Sequence, residues 1–278
     1  SYDAFRAPSP GRDALDPVLQ SIPVGLTMLD LGCGSGAFLK NLMELRPEKL
    51  DAIDRNGAMI NQSLKMIHAD AVLRAAMQLK TLHIQQMEVV DLPSVHYDVV
   101  FCAQILQNLT PDASLATKAR KDFLLHIFRV LKPGGQLVLT TRAISPGLGG
   151  RWSHLYWYAD PAIAPRAVSI METMVPRRPL DELVQAGFTR AEQIPSKDIV
   201  VRPDAYLVPT NLKNPAFRSA DSFFQHVQAD ELEILLANIE RRSKDGTLNA
   251  YVKQREALRR GNGHVVTLIA YRPNATVW

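Results

Sequence analysis

The residues with the clearest chemistry stand together near the start of the chain. Asp30 follows the apolar Met28-Leu29, and Gly32, Gly34 and Gly36 come after it at alternate positions. Glycines let main-chain N–H groups approach a ligand that a Cβ would hold off. Gly32-x-Gly34-x-x-Ala37 also satisfies a dinucleotide pattern, in which a helix N-terminus binds pyrophosphate. Asp30 argues against that ligand, because a carboxylate repels a pyrophosphate and attracts an α-ammonium group. The turn therefore suits an aminoacyl nucleoside. A second acid, Asp54, ends the apolar stretch Lys49–Asp54, 18 residues beyond Gly36. That is near the spacing of about 20 at which an acid accepts from ribose hydroxyls.

In its acid-x-Gly-x-Gly-x-Gly order the stretch from Asp30 to Gly36 resembles the class I S-adenosylmethionine-dependent methyltransferases, specifically the ubiquinone-biosynthesis-like, methyltransferase type 11 group. The resemblance implies S-adenosylmethionine as cofactor. It assigns the turn to Asp30, Gly32, Cys33, Gly34 and Gly36, the ribose to Asp54, a cofactor contact to Arg55, and the adenine face to Met59, which reads equally well as core. Met87-Glu88-Val89-Val90-Asp91-Leu92-Pro93 stands where that group has Gly-Asp-Ala-Glu-Asp-Leu-Pro. Glu88 then takes the place of the acid that accepts from the adenine amino group, and Val89 donates its N–H to the ring. Cys102 and Gln104 close a strand whose tip faces the transferred methyl, with Gln104 contacting the methionyl end or the acceptor. Family members often carry two histidines just beyond, where this chain has Gln107-Asn108, so any base comes from elsewhere. His154, Tyr2 and Tyr158 are the candidates, with Tyr156 comparable, and Tyr2 belongs to an N-terminal lid.

Positioning these groups requires alternating strands and helices, the signature of a parallel sheet with crossover helices. Strand patterns cover 28–31, 49–54, 82–90, 97–104, 136–141, 189–194 and 264–271, and helical patterns cover 57–67, 123–131 and 180–186. Lys132-Pro133-Gly134-Gly135 reads as a helix stop without chemistry. The fold class is α/β, a doubly wound, Rossmann-like sheet, and the resemblance implies seven strands with the last antiparallel. About 65 residues separate the sixth and seventh strand patterns, a length that marks an inserted functional element. Leu232, Leu235, Leu236 and Ile239, then Leu248, Tyr251 and Val252, give it two helical faces joined at Asp245-Gly246. The expected organisation is an N-terminal lid over 1–22, a core over 23–199 and 263–278, with 143–179 an irregular substrate-pocket segment, and an inserted helical cap over 200–262.

Composition narrows the function. The chain has 278 residues, is 46% hydrophobic and carries a net charge of +4. Its basic pairs Arg177-Arg178, Arg241-Arg242 and Arg259-Arg260 are short, and the last two lie in charged helical stretches that read as solvated faces, so nucleic acid is not the expected partner. Cys33 and Cys102 are the only cysteines, which leaves neither a disulfide framework nor a zinc cluster. No metal is expected, no apolar run is long enough to span a membrane, and a reducing, cytoplasmic setting is the default. The pattern fixes no oligomeric state. No Asn/Asp-Pro-Pro-aromatic motif or proline-cysteine nucleophile points to a nucleobase.

The resulting expectation is metal-independent methyl transfer to a small molecule. Its acceptor is an aromatic quinone-like or phenolic compound, a thiol or thioether, or a carboxylate held by Arg6, Arg12, Arg151 or Arg166. The alternatives are a cofactor-binding relative that does not methylate, and an RNA or protein methyltransferase.

Overall fold

The computed structural model describes residues 5, 11–142, 156–262 and 265–274. Seven strands form one sheet: β1 (Thr27–Leu31), β2 (Lys49–Asp54), β3 (Leu82–Gln86), β4 (Tyr97–Ala103), β5 (Leu131–Arg142), β6 (Thr189–Ser196) and β7 (Val265–Tyr271). Their spatial order is β3-β2-β1-β4-β5-β7-β6. β1 to β5 pair in parallel, whereas β7 runs antiparallel to both β5 and β6. The order reverses between β1 and β4, which opens a crevice outside the carboxyl ends of the strands, where ligands of such sheets bind.

Side chains on β4 alternate between two apolar layers. Val99 and Phe101 join the one containing Leu15, Leu39 and Ile67, while Val100 and Cys102 join the one containing Leu124, Ile127 and Leu183. A sheet buried on both faces explains the near-continuous apolar runs of these strands. A third apolar interior is made by two stretches distant in sequence. Trp157, Tyr158, Val168 and Met171 pack in it with Tyr206, Phe217, Leu235 and Ile239.

Three expectations need correction. β3 stops at Gln86 because the Met87 N–H donates to the Asp54 carbonyl at 3.1 Å and the chain then turns through a 3-10 helix over Val89–Asp91. β5 begins at Leu131 rather than at Gln136: Leu131 pairs with Tyr97, and the ladder resumes at Val99 and Gln136 beyond an irregularity that accommodates Pro133 and both glycines. The segment expected to be irregular contains a helix over Pro165–Met174, started by its proline. The two insertion helices extend over Ala229–Lys244 and Leu248–Asn262.

Candidate functional site

At the end of β1 the Gly32 and Cys33 N–H groups both donate to the Ile53 carbonyl, at 2.8 and 2.9 Å, which binds the turn to β2. Gly34 has φ +55°, and a Cβ there would meet nothing within 4 Å, so the turn presents open space on that side. At Gly36, with φ +88°, a Cβ would lie 2.5 Å from both Ser63 Oγ and Met66 Cε. One glycine is thus required by the protein's own packing, and the other leaves room for a ligand.

Two acids converge beneath this turn. Asp54 accepts from the Gly34 N–H at 3.0 Å through Oδ2 and from the Asn56 N–H at 2.8 Å through Oδ1. Each oxygen retains a second lone pair, so the carboxylate can shape the turn and still meet a hydroxyl. Asp30 is 2% exposed, and its Oδ2 has no hydrogen-bond partner. Burial, with a smaller contribution from Asp54, pushes its pKa up to about 8. A buried acid with an unmatched oxygen is costly unless a donor arrives. Burial also pushes both the Cys33 and Cys102 thiols up, which keeps them neutral.

Beyond β4, Gln104 adopts φ +55°, a left-handed conformation uncommon for a side-chain-bearing residue. Its backbone is held on both sides: its N–H donates to the Thr140 carbonyl at 2.8 Å, and its carbonyl accepts from Gln107 Nε2 at 3.0 Å and Asn108 Nδ2 at 2.9 Å. Gln104 Nε2 is buried without a partner. The amides that replace the expected histidines therefore fix a strained corner at the switch point. Glu88 is exposed and Val89 is half-buried, one and two residues past the link from Met87 to Asp54.

A pocket of about 510 Å³ runs along the carboxyl ends of the strands, from Arg55 and Met59 past Gln104 and Gln107 to Arg142, Ser222 and His226. Arg142, at the end of β5, is 4% exposed and donates to Asp221 Oδ1 at 2.5 Å. Burial pulls the pKa of Arg142 down, but Asp221 more than reverses this, and the guanidinium stays charged. Asp221 also accepts from the Tyr158 hydroxyl at 2.7 Å and the Phe223 N–H at 3.0 Å. His226 is half-buried in the pocket wall, and burial lowers its pKa below 6.5.

The pocket gathers Arg55, Met59 and Gln104 from the sequence-derived candidates, while Asp30, the glycines and Asp54 form the adjacent turn. Tyr158 is fully buried and committed to Asp221, behind the pocket wall. Arg12 pairs with Asp16, and Arg166 pairs with Asp230 and Glu231, so both are engaged by neighbouring acids. Tyr2, Arg6, Arg151 and His154 lie outside the described residues. Sequence reasoning missed Arg142, Asp221 and His226. For Arg142 a signal existed: a charged residue at the carboxyl end of a central strand points at the ligand crevice of this sheet class.

This arrangement fits an aminoacyl nucleoside on its own geometry, with an orphaned buried acid for an ammonium and an open glycine face for close backbone approach. Residues 29–139 match the family model of a methyltransferase domain. The chain is 30% identical over 117 residues to the mitochondrial ubiquinone biosynthesis O-methyltransferase of Schizosaccharomyces pombe, an alignment covering 42% of this chain and 38% of that protein. It is also 30% identical over 137 residues to the tRNA U34 carboxymethyltransferase of Hydrogenovibrio crunogenus, covering 49% of this chain and 38% of that one. The chain thus spans well under half the length of either curated relative. Its fold is similar to that of Haemonchus contortus phosphoethanolamine N-methyltransferase 2 in complex with S-adenosyl-L-methionine, with TM-score 0.54 at 17% identity over 96% of this chain and 54% of that one. These matches support a class I S-adenosylmethionine-dependent methyltransferase, with the family match confined to residues 29–139. Among the described residues no helix is long and apolar enough to cross a membrane.

Proposed function

We propose that this protein transfers a methyl group from S-adenosylmethionine to a small-molecule acceptor held under the inserted cap. The observation carrying this reading is the continuity of one pocket from Met59 at the cofactor end to Arg142 and His226 at the cap end. Asp30 takes the ammonium of the bound cofactor, the Gly34 turn its aminoacyl backbone, and Asp54 its ribose hydroxyls. Met59, Glu88 and Val89 take the adenine. The cofactor supplies a methyl already activated on a sulfonium, so the protein contributes position, alignment and exclusion of water.

Gln104 and Gln107 hold the acceptor at the switch point. Arg142, neutralised by Asp221, offers donors without adding a net charge, which suits a neutral or hydroxyl-bearing acceptor better than a cation. Lining the same pocket, His226 has an imidazole held neutral by burial and can take a proton from a hydroxyl.

A second reading, methylation of RNA, is favoured by the likeness to a tRNA-modifying relative. Incubation with methyl-labelled S-adenosylmethionine and, in separate arms, phenols, thiols, small carboxylates and total tRNA distinguishes the two. Label in a small molecule supports the proposal. Label confined to tRNA replaces it with the second reading. Cofactor binding with no transfer in any arm assigns the chain to the relatives that do not methylate.

A further inference from the structure

We propose that Arg129, in the Arg-Val-Leu-Lys-Pro-Gly-Gly phrase that ends a helix, is a positioning residue that shapes the adenine-facing loop; this rests on the reading that Glu88 and Val89 meet the adenine. The guanidinium reaches from the last turn of the helix Ala116–Val130 across to residues 89–94. Nη1 donates to the Leu92 carbonyl at 2.7 Å and Ser94 Oγ at 3.0 Å, and Nη2 donates to the Val89 and Val90 carbonyls at 3.1 and 3.2 Å. Three consecutive-region carbonyls turned toward one cation form an unusual sink, and Arg129 makes no ion pair among the described residues. Its charge is spent on main-chain dipoles.

Leu92 is buried in an apolar layer with Val89 packed against it, and the Val95 N–H donates to the Arg129 carbonyl at 2.9 Å, so the loop is anchored and Arg129 acts by orienting its carbonyls. The loop's internal bonds are long, from the Asp91 N–H to the Glu88 carbonyl at 3.2 Å and from the Leu92 N–H to the Val89 carbonyl at 3.3 Å. On the opposite side the Met87 N–H fastens the chain to Asp54. Glu88 and Val89 are therefore suspended between the ribose acid on one side and Arg129 on the other. The Glu88 carbonyl faces the Asp91 N–H, and peptide planarity then sends the Val89 N–H the opposite way. That N–H has no partner among the described residues, and Glu88 is exposed with no ion pair among them. Both are presented to a ligand because the carbonyls are drawn to Arg129. A planar fork can serve four acceptors at once, which a lysine ammonium on a flexible stem cannot match.

The test uses the full chain and S-adenosylhomocysteine. By calorimetry, Arg129→Gln is expected to bind about tenfold more weakly, a loss of about 1.4 kcal/mol. Arg129→Lys recovers part of the loss, and the double variant with Glu88→Ala loses less than the sum of the two single losses, because both act partly through the Glu88 contact. Hydrogen exchange at the Asp91 and Leu92 amides in the ligand-free Arg129→Gln protein is expected to accelerate at least about tenfold, while Val138 and Leu139 in β5 keep their protection and report an intact sheet. Native exchange at Asp91 and Leu92, or losses that simply add in the double variant, would overturn the proposal. If instead Glu88→Ala binds like the native protein, the adenine reading itself fails, whatever the exchange shows about the loop.

Discussion

Gly34 donates its main-chain N–H to Asp54 Oδ2 across 3.0 Å, so the acid at the tip of β2 holds the very turn that follows β1. On the proposed function, cofactor recognition and turn geometry are coupled through one carboxylate. Asp54→Ala is expected to weaken S-adenosylhomocysteine binding by about 1–3 kcal/mol, the usual loss for hydrogen bonds to a charged group. Unchanged affinity by calorimetry removes Asp54 from the site.

Asp30 gives the ligand-free protein a defined pH dependence. Its folded pKa of about 8 lies above the ordinary 3.8, so between these values the folded chain keeps a proton that the unfolded chain has lost. The stability from Asp30 is complete below 3.8 and is lost as pH rises toward 8. Asp30→Asn should flatten that decline in urea titrations. An arriving ammonium favours the charged carboxylate, so ligand binding near pH 7 should release a proton, seen as a buffer-dependent binding enthalpy that vanishes in the variant.

The glycines divide into two kinds. Gly36→Ala places a methyl 2.5 Å from Ser63 Oγ and Met66 Cε and should lower the melting temperature, because core strain of this kind costs about 1–3 kcal/mol. Gly34→Ala meets no protein atom within 4 Å. It should cost only about 1–2 kcal/mol for its left-handed backbone, while reducing ligand affinity. Equal stability losses with full binding in both would refute this division.

The Arg142–Asp221 pair joins the end of β5 to a segment 79 residues further along the chain. Asp221→Ala leaves a buried, uncompensated guanidinium and also strands the Tyr158 hydroxyl. A destabilisation of about 3–5 kcal/mol is expected in chemical denaturation. A change below 1 kcal/mol, by the same scale, would mean that water already reaches the pair.

His226 predicts the pH profile with a hydroxyl acceptor. Burial holds its pKa below 6.5, with Asp221 pulling it up and Arg142 pushing it down. Turnover should stay level above that range and fall as the imidazole protonates, and His226→Gln should remove the acid limb. A native-like profile in His226→Gln assigns the limb to another group.

Much of the fold around the candidate cofactor turn was legible because its signals are local. Asp30 and the three glycines lie within seven residues of one another, and Lys49–Asp54 forms β2 with the expected bounds. The pocket wall at Arg142, Ser222 and His226 was not, since its contacts are long-range. Arg142 and Asp221 are 79 residues apart, and neither carries a local pattern that announces the other. Apolar periodicity also overran β3, where Val89 and Val90 look strand-like but the pairing partner Asp54 has ended. The Pro165–Met174 helix was hidden among aromatic and proline residues, although Val168 and Met171 already stood at helical spacing. Reading propensity alone does not reveal where a neighbouring strand stops or which distant residues share a wall.

Trp157, Phe217 and Leu235 share an apolar interior distinct from the two layers that sandwich the sheet. Such independence separates two kinds of evolutionary risk. Substitutions within that interior touch other residues than those packed beneath the turn at Asp30 and Gly34. On the proposed function, a lineage can reshape the wall around Ser222 and His226 while leaving the proposed cradle for the methyl donor in place.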